Sequence, residues 1–333
     1  MLYVGVDAHL KTSNYAVMDA GGQIVRQGQI ASTQAGVQAA LAPFHEPLQA
    51  VLEASYNWGP MYDWLQETGA GVRLAHPAKV RAIAEARIKN DKIDARTLAH
   101  LLRANLIPEA YAPSKDVRAV KRVLRQRLFW VHVQTMLKNR IQALLAQHAV
   151  ARPEVSDLFG GDGMRWLQAV VLPEPDGALL REDLAMLAVL RERIKITERL
   201  IKQLASGDPA VKWLRSLPGI GVFFSVLIRY EVDDITRFPA AKKFAAYTGL
   251  VPSTYASGQR LVHGRLTKQG NKWLRWALIE AVSPAISHSP YLNRSYQKIA
   301  ARRGAKDART ATARKLAELV WSVWTEQRCY VEK

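Results

Sequence analysis

The chain has 333 residues, 49% of them hydrophobic, with a single cysteine, Cys329. That supplies apolar material for two packed domains and a connector, and it excludes a disordered chain and an intramolecular disulfide scaffold. The formal net charge of +18 predicts attraction to a polyanion, nucleic acid above all. The charge is also concentrated. Residues 79–140 carry 15 Lys/Arg against 5 Asp/Glu, residues 260–315 carry 13 against 2, and the remainder is net −3. Two binding surfaces on a near-neutral background are expected. The N-terminus has neither the basic start nor the long apolar run of a signal peptide, and no segment reads as a membrane span. One cysteine suits a reducing compartment, so a cytoplasmic location is expected.

In chain order, residues 2–6 (LYVGV) form an apolar run ending at Asp7, the pattern of a buried strand. Residues 14–19 and 23–30 flank Ala20-Gly21-Gly22, a hairpin signal. Helical periodicity follows from Gln34 to Leu48, then a strand at 49–53, a helix from Pro60 to Thr68 and a strand at 71–75. Pro77 opens another helix. A meander followed by alternating helix and strand predicts a mixed α/β sheet in the order of a ribonuclease-H-like fold. Basic helical sequence runs from Val117 to Leu145. A helix over Asp183 to Ala205 spaces Leu187, Leu190, Ile194, Thr197, Ile201 and Leu204 by threes and fours. That seam suits an intramolecular helical hairpin or a dimerising coiled coil.

Beyond Pro209, Leu217-Pro218-Gly219-Ile220-Gly221 precedes an apolar helix from Val222 to Tyr230. The turn at Gly219 and Gly221 either presents N–H groups to a phosphate, as in helix-hairpin-helix modules, or simply joins two helices. Residues 249–271, rich in Gly, Ser and Thr, read as loop. Helices resume at Trp273–Ala281 and Ala308–Thr325. Trp273 and Trp276, like Val320, Trp321 and Trp324, read as packing, with base stacking the rival use of the first pair.

Four carboxylates stand out. Asp7 and Glu53 each end a predicted strand, and Asp91 and Asp94 share one helix face at i, i+3. An all-oxygen set of this kind suits Mg²⁺, and two such ions stabilise the attacking and leaving oxygens of phosphoryl transfer. Each acid also has a plainer use: Asp91 as an N-cap, Asp94 in the favourable first turn, Asp7 as a strand end. Lys89, Lys92 and Arg96 would surround a metal there with phosphate-binding charge. Arg122 and Arg125 offer further phosphate contacts along the basic helix.

Val4-Gly5-Val6-Asp7, Glu53-Ala54-Ser55-Tyr56-Asn57-Trp58 and Lys89-Asn90-Asp91-Lys92-Ile93-Asp94-Ala95 resemble the signatures of the DEDD-type, or one-ten, insertion-sequence transposases. The resemblance continues through Leu217-Pro218-Gly219-Ile220-Gly221, Gly249-Leu250-Val251-Pro252, Ala256-Ser257-Gly258 and Lys268-Gln269-Gly270-Asn271. Ser55-Tyr56 departs from the Thr-Gly that many members carry after the glutamate. The resemblance implies an α/β plus α architecture: a RuvC-like ribonuclease-H-fold domain at 1–110, a basic helical and coiled-coil connector at 111–208, and a mainly helical transposase domain at 209–333. It implies Mg²⁺ held by Asp7, Glu53, Asp91 and Asp94. It also implies that Ser257 attacks a DNA phosphodiester, with Arg260, Arg265, Lys268 and Arg275 neutralising the transferring phosphoryl group. Composition alone does not single out Ser257, and Ser253 is its chemical equal. The implied partners are donor and target DNA, a structured bridge RNA as guide, and further copies of the chain in a dimer or tetramer. The rival is a metal-dependent nuclease or junction resolvase that uses the carboxylates alone.

Overall fold

A computed structural model of the protein describes residues 1–83, 91–257, 260–266 and 270–332, with the backbone alone at 91–93, 254–257, 260–263 and 265. Lys89 and Lys268 lie outside the described residues, as do the side chains of Asp91, Lys92, Ser257, Arg260 and Arg265. The chain divides into two compact units, Met1–Pro113 and Ser114–Lys333.

The first unit contains, in order, β1 (Leu2–Asp7), β2 (Thr12–Met18), β3 (Ile24–Ala31), α1 (Gln34–Leu41), β4 (Leu48–Glu53), α2 (Trp58–Glu67), β5 (Gly71–Ala75), α3 (Pro77–Ile83) and α4 (Asp91–Arg103). The sheet order is β3-β2-β1-β4-β5. The first three strands form the antiparallel meander expected from the Gly-Gly turn, and β4 and β5 run parallel to β1. Helix α1 stops at Leu41, short of the expected Leu48. Pro43 and Pro47 explain the difference, because a proline disfavours helical backbone in the residue before it and donates no N–H.

Strand alternation gives the sheet two apolar faces. Leu2, Val4, Val6, Ala50 and Leu52 pack with Val37, Leu41, Met61 and Leu65 of α1 and α2. On the opposite face, Val51 and Ala75 pack with Leu98, Leu101 and Leu102 of α4. Helix α4 lies very close to β1 there: a β-carbon on Gly5 would stand 2.0 Å from the Ala95 carbonyl oxygen and 2.6 Å from the Ala99 nitrogen. At the other end of α4, Arg103 donates to the Ala20 carbonyl, in the turn beyond the Tyr3–Met18 pair where β1 begins. The helix is therefore antiparallel to β1, and its first turn points toward the Asp7 end.

The second unit is mainly helical. It contains α5 (Lys115–Gln147), α6 (Gly161–Ala169), α7 (Asp176–Leu204), α8 (Pro209–Arg215), α9 (Val222–Val232), a 3-10 turn at Ile235–Arg237, and α10 (Ala241–Tyr247). A hairpin of β6 (Pro252–Ser257) and β7 (Arg260–Leu266) follows, then α11 (Lys272–Glu280), α12 (Val282–His288), α13 (Pro290–Arg303) and α14 (Ala305–Thr325). Ser114 caps α5 by accepting from the Val117 N–H. Helices α5 and α7 pack as a hairpin, with Leu187 buried beside Ile141 and Leu145, and Ile201 beside Val120 and Leu124. Arg127–Glu198 at 2.8 Å and Arg140–Asp183 at 2.9 Å cross the same seam. Leu187, Leu190 and Ile201 of the expected seam are thus used within the chain.

The expectation of a loop over 249–271 is corrected by β6 and β7, which pair antiparallel from Pro252–Leu266 to Ser257–Arg260. Thr254, Tyr255 and Val262 are good strand formers. The last core gathers Phe244, Leu274, Leu278, Ala285, Leu316, Val320 and Trp324. Trp321 lies against it and donates to the Phe238 carbonyl at 2.9 Å, so the tail tryptophans serve packing.

Candidate carboxylate and serine sites

Asp7 and Glu53 are the last residues of neighbouring parallel strands, directly after the registered pair Val6–Leu52. Because Val4 and Val6 point into the α1–α2 core, Gly5 and Asp7 face α4; by the same alternation Glu53 follows Val51 onto that face. Both acids are half-buried. The loop after Asp7 is held in place: Ser13 accepts from the His9 N–H at 3.2 Å, Ser32 donates to the His9 carbonyl at 2.8 Å, and the two hydroxyls meet at 2.7 Å. This brings the His9 ring to the Asp7 carboxylate, Nε2 to Oδ2 at 3.0 Å. His9 belongs to no motif in the sequence, and only the folded loop identifies it as a neighbour of Asp7.

Asp94 is half-buried in the first turn of α4, the turn that the Gly5 contact directs toward the ends of β1 and β4. Three of the four expected carboxylates thus come from elements converging on one end of one sheet face, while the side chain of Asp91 lies outside the described residues. Among the described residues no group of three or more His, Cys, Asp or Glu side chains is close enough to hold a metal ion. Arg96 is exposed, one residue beyond the close-packed Ala95.

In the second unit, Ser257 ends β6 opposite Arg260. Beyond the hairpin, the Asn271 N–H donates to the Tyr247 carbonyl at 2.9 Å. The Asn271 Oδ1 accepts from the Trp273 and Leu274 N–H groups and so caps α11. Its side-chain amide donates to Glu231 Oε2 at 2.8 Å. Glu231 is only 3% exposed and also pairs with Arg125 and, at 3.8 Å, with Lys121. Burial holds the Lys121 ammonium below its usual pKa, against the opposing pull of Glu231. The Arg125 guanidinium stacks 4.0 Å over the Trp273 ring, and Trp276 meets Phe224 edge to face at 5.5 Å. Arg125 is therefore engaged within the protein, whereas Arg122, on the same helix, is exposed. Arg275 is half-buried.

Removing the Glu231 carboxylate leaves two cations without their acceptor. Glu231→Ala is expected to cost about 3 kcal/mol, and Glu231→Gln less, because the amide keeps an acceptor for Asn271. Chemical denaturation of the two variants reads the difference, and equal stability of Glu231→Ala and the parent chain would contradict it.

The two glycines of the 217–221 turn have different surroundings. Gly219 has φ +78°, and a β-carbon there would lie 2.3 Å from the Ala281 carbonyl oxygen, so this glycine permits close packing of the turn on α11 and α12. Gly221 precedes α9 and faces open space.

Comparison with known proteins draws the two units together. Residues 4–150 match a family profile of DEDD transposases of the IS110 type, described as "Transposase", and residues 211–297 match the "Transposase IS116/IS110/IS902 family". A "Probable family 20 transposase" from Pseudomonas aeruginosa is 28% identical over 88% of this chain and 89% of its own. The transposase for insertion sequence element IS1111A of Coxiella burnetii is 25% identical over 98% and 90%, respectively. That for IS1328 of Yersinia enterocolitica is 25% identical over 79% of each chain. With both profiles in order along one chain, and relatives spanning nearly all of it, the protein belongs to the IS110/IS116/IS902 family of insertion-sequence transposases.

Proposed function

We propose that this transposase cuts and rejoins DNA through a phosphoserine intermediate formed by Ser257, with Mg²⁺ held by Asp7, Glu53, Asp91 and Asp94. The register of β1 and β4 carries the metal half of this reading, because it sets Asp7 and Glu53 side by side on the face that α4 covers. The donor set is all carboxylate, which suits a hard divalent cation that keeps several waters, and such an ion would supply charge stabilisation to a transferring phosphoryl group. The fold of the first unit, a meander continued by two parallel strands, is consistent with a RuvC-like ribonuclease-H domain. The domain boundaries proposed are 1–110, 111–208 and 209–333.

In the serine step, the Ser257 oxygen bonds to a DNA phosphorus and an ester oxygen of the strand leaves as a hydroxyl. Attack by a DNA hydroxyl on the phosphoserine reverses the exchange and rejoins the strand, so no bond energy is lost to water. Arg260, Arg265, Lys268 and Arg275 belong to the same segment and supply positive charge for the phosphoryl group. Lys89, Lys92, Arg96, Arg122 and the glycine turn are proposed to hold nucleic acid. A bridge RNA is proposed as the guide that pairs with donor and target DNA. Met186, Val189, Ile196 and Leu200 are exposed on α7, which supports assembly of the chain into a homo-oligomer. The described residues contain no helix long and apolar enough to cross a membrane.

Asp94→Asn tests the metal half. The variant is expected to fold normally and to lose Mg²⁺-dependent strand exchange by at least about two orders of magnitude, since one ligand of a charge-stabilising ion is gone. Full exchange by Asp94→Asn, measured on a donor and target pair, would remove this residue from the site.

A further inference from the structure

Three cations from two helices meet on one open cleft of the second unit. Lys202 lies in the last turn of α7, and Lys212 and Arg215 occupy one face of α8 at i, i+3. Ser206, Asp208, Pro209 and Ser216 are among the other residues of the wall. All three cations are exposed, and among the described residues none has an ion-pair partner. The acid in the wall, Asp208, is already neutralised: its Oδ2 lies 2.8 Å from Arg229 Nε and its Oδ1 accepts from the Ala210 N–H. The cleft therefore carries close to three unbalanced positive charges. These residues fall outside both basic blocks of the sequence, in a stretch whose charge sums to nearly nothing, because folding pairs off the acids and leaves the cations together.

We propose that the Lys202–Lys212–Arg215 cleft grips the phosphate backbone of duplex DNA. The proposal rests on the reading that the chain works on DNA, and deepens it by adding a contact surface. Charge selects a polyanion. The composition of the wall selects a duplex: it contains no aromatic side chain, whereas surfaces that hold single strands stack unpaired bases on aromatic rings. The wall offers ammonium and guanidinium groups to backbone oxygens, contacts that position a duplex without reading its sequence.

The test measures affinity of the full chain for a short labelled duplex of arbitrary sequence as salt is raised. The variant combining Lys202→Ala, Lys212→Ala and Arg215→Ala is expected to have a log–log salt slope shallower by about 2.7, at about 0.9 per lost phosphate contact. Between about 50 and 200 mM salt it therefore loses roughly 40-fold less affinity than the parent does. Lys202→Arg with Lys212→Arg is expected to keep the parent slope. Should the triple variant fail to melt as the parent does, Lys212→Gln and Arg215→Gln singly are each expected to remove about 0.9 from the slope. An unchanged slope in folded variants overturns the cleft, and so does a loss confined to single-stranded DNA or to structured RNA. A parent chain with no salt-sensitive duplex binding is a different result, and counts against the DNA reading itself.

Discussion

Ser257→Ala is expected to abolish strand exchange, by about three to six orders of magnitude, while duplex binding stays at the parent level. Only one hydroxyl is removed, at the end of β6 where the backbone pairs with Arg260. The hairpin ladder is built from backbone groups, which the substitution leaves in place. Trapping the reaction on a nicked duplex should yield protein covalently joined to a DNA end in the parent chain, and none in the variant. Ser253→Ala, four residues earlier on the same strand, should form the adduct normally. Peptide mapping decides between the two serines. Attachment elsewhere, or Mg²⁺-dependent cleavage that persists in Ser257→Ala without any adduct, would overturn the serine mechanism and favour a nuclease or resolvase that uses the carboxylates alone.

Gly5→Ala should be nearly as damaging, by a different route. The added carbon meets backbone atoms of α4 at 2.0 and 2.6 Å, and backbone cannot swing aside as a side chain does. Either β1 buckles or α4 lifts, and lifting exposes Leu98, Leu101 and Leu102 together. A cost of about 3 kcal/mol is expected, at the upper end of overpacking, with a melting temperature lower by several degrees. Activity should fall further than stability, because α4 also carries Asp94. Gly221→Ala is the control: its φ is −79° and its surroundings are open, so it should cost only the smaller loss of a glycine at a helix N-cap, below about 1 kcal/mol. A Gly5→Ala chain that melts like the parent would mean that α4 does not rest on β1 as described.

Much of the first unit was legible in the sequence because its signals are local. Val4-Gly5-Val6-Asp7 is an apolar run with an acid at its end, Ala20-Gly21-Gly22 is a turn, and Pro77 starts a helix. The strand readings at 2–6 and 49–53 also put Asp7 and Glu53 at strand ends. What the sequence could not give is that the two strands are neighbours in register, since parallel pairing is fixed by contacts distant along the chain. The second unit was less readable. Helices α6, α8, α10 and α12 have seven to nine residues, too few for a helical period to stand out, and α13 buries only Leu292. The β6–β7 hairpin was hidden by its Ser, Thr and Gly content. Arg125 looked like part of a solvent-facing basic run, and only the packing of α5 on α9 reveals its pairing with Glu231.

The position of α4 has a consequence for the order in which the protein is made. The strands of the sheet are all complete by Ala75, but the helix that covers one of its two faces begins only at Asp91. Chains emerge from the ribosome N-terminus first, so a growing chain passes through a stage with the whole sheet synthesised and Val51 and Ala75 still uncovered by α4. At that stage Asp7 and Glu53 are present while the helix that brings Asp94 to them is not. A chain interrupted there has an apolar sheet face that favours capture by a chaperone or a protease, and half of its carboxylates. The helix that completes the hydrophobic core thus also carries Asp91 and Asp94, so a truncated product lacks half of the proposed acidic set.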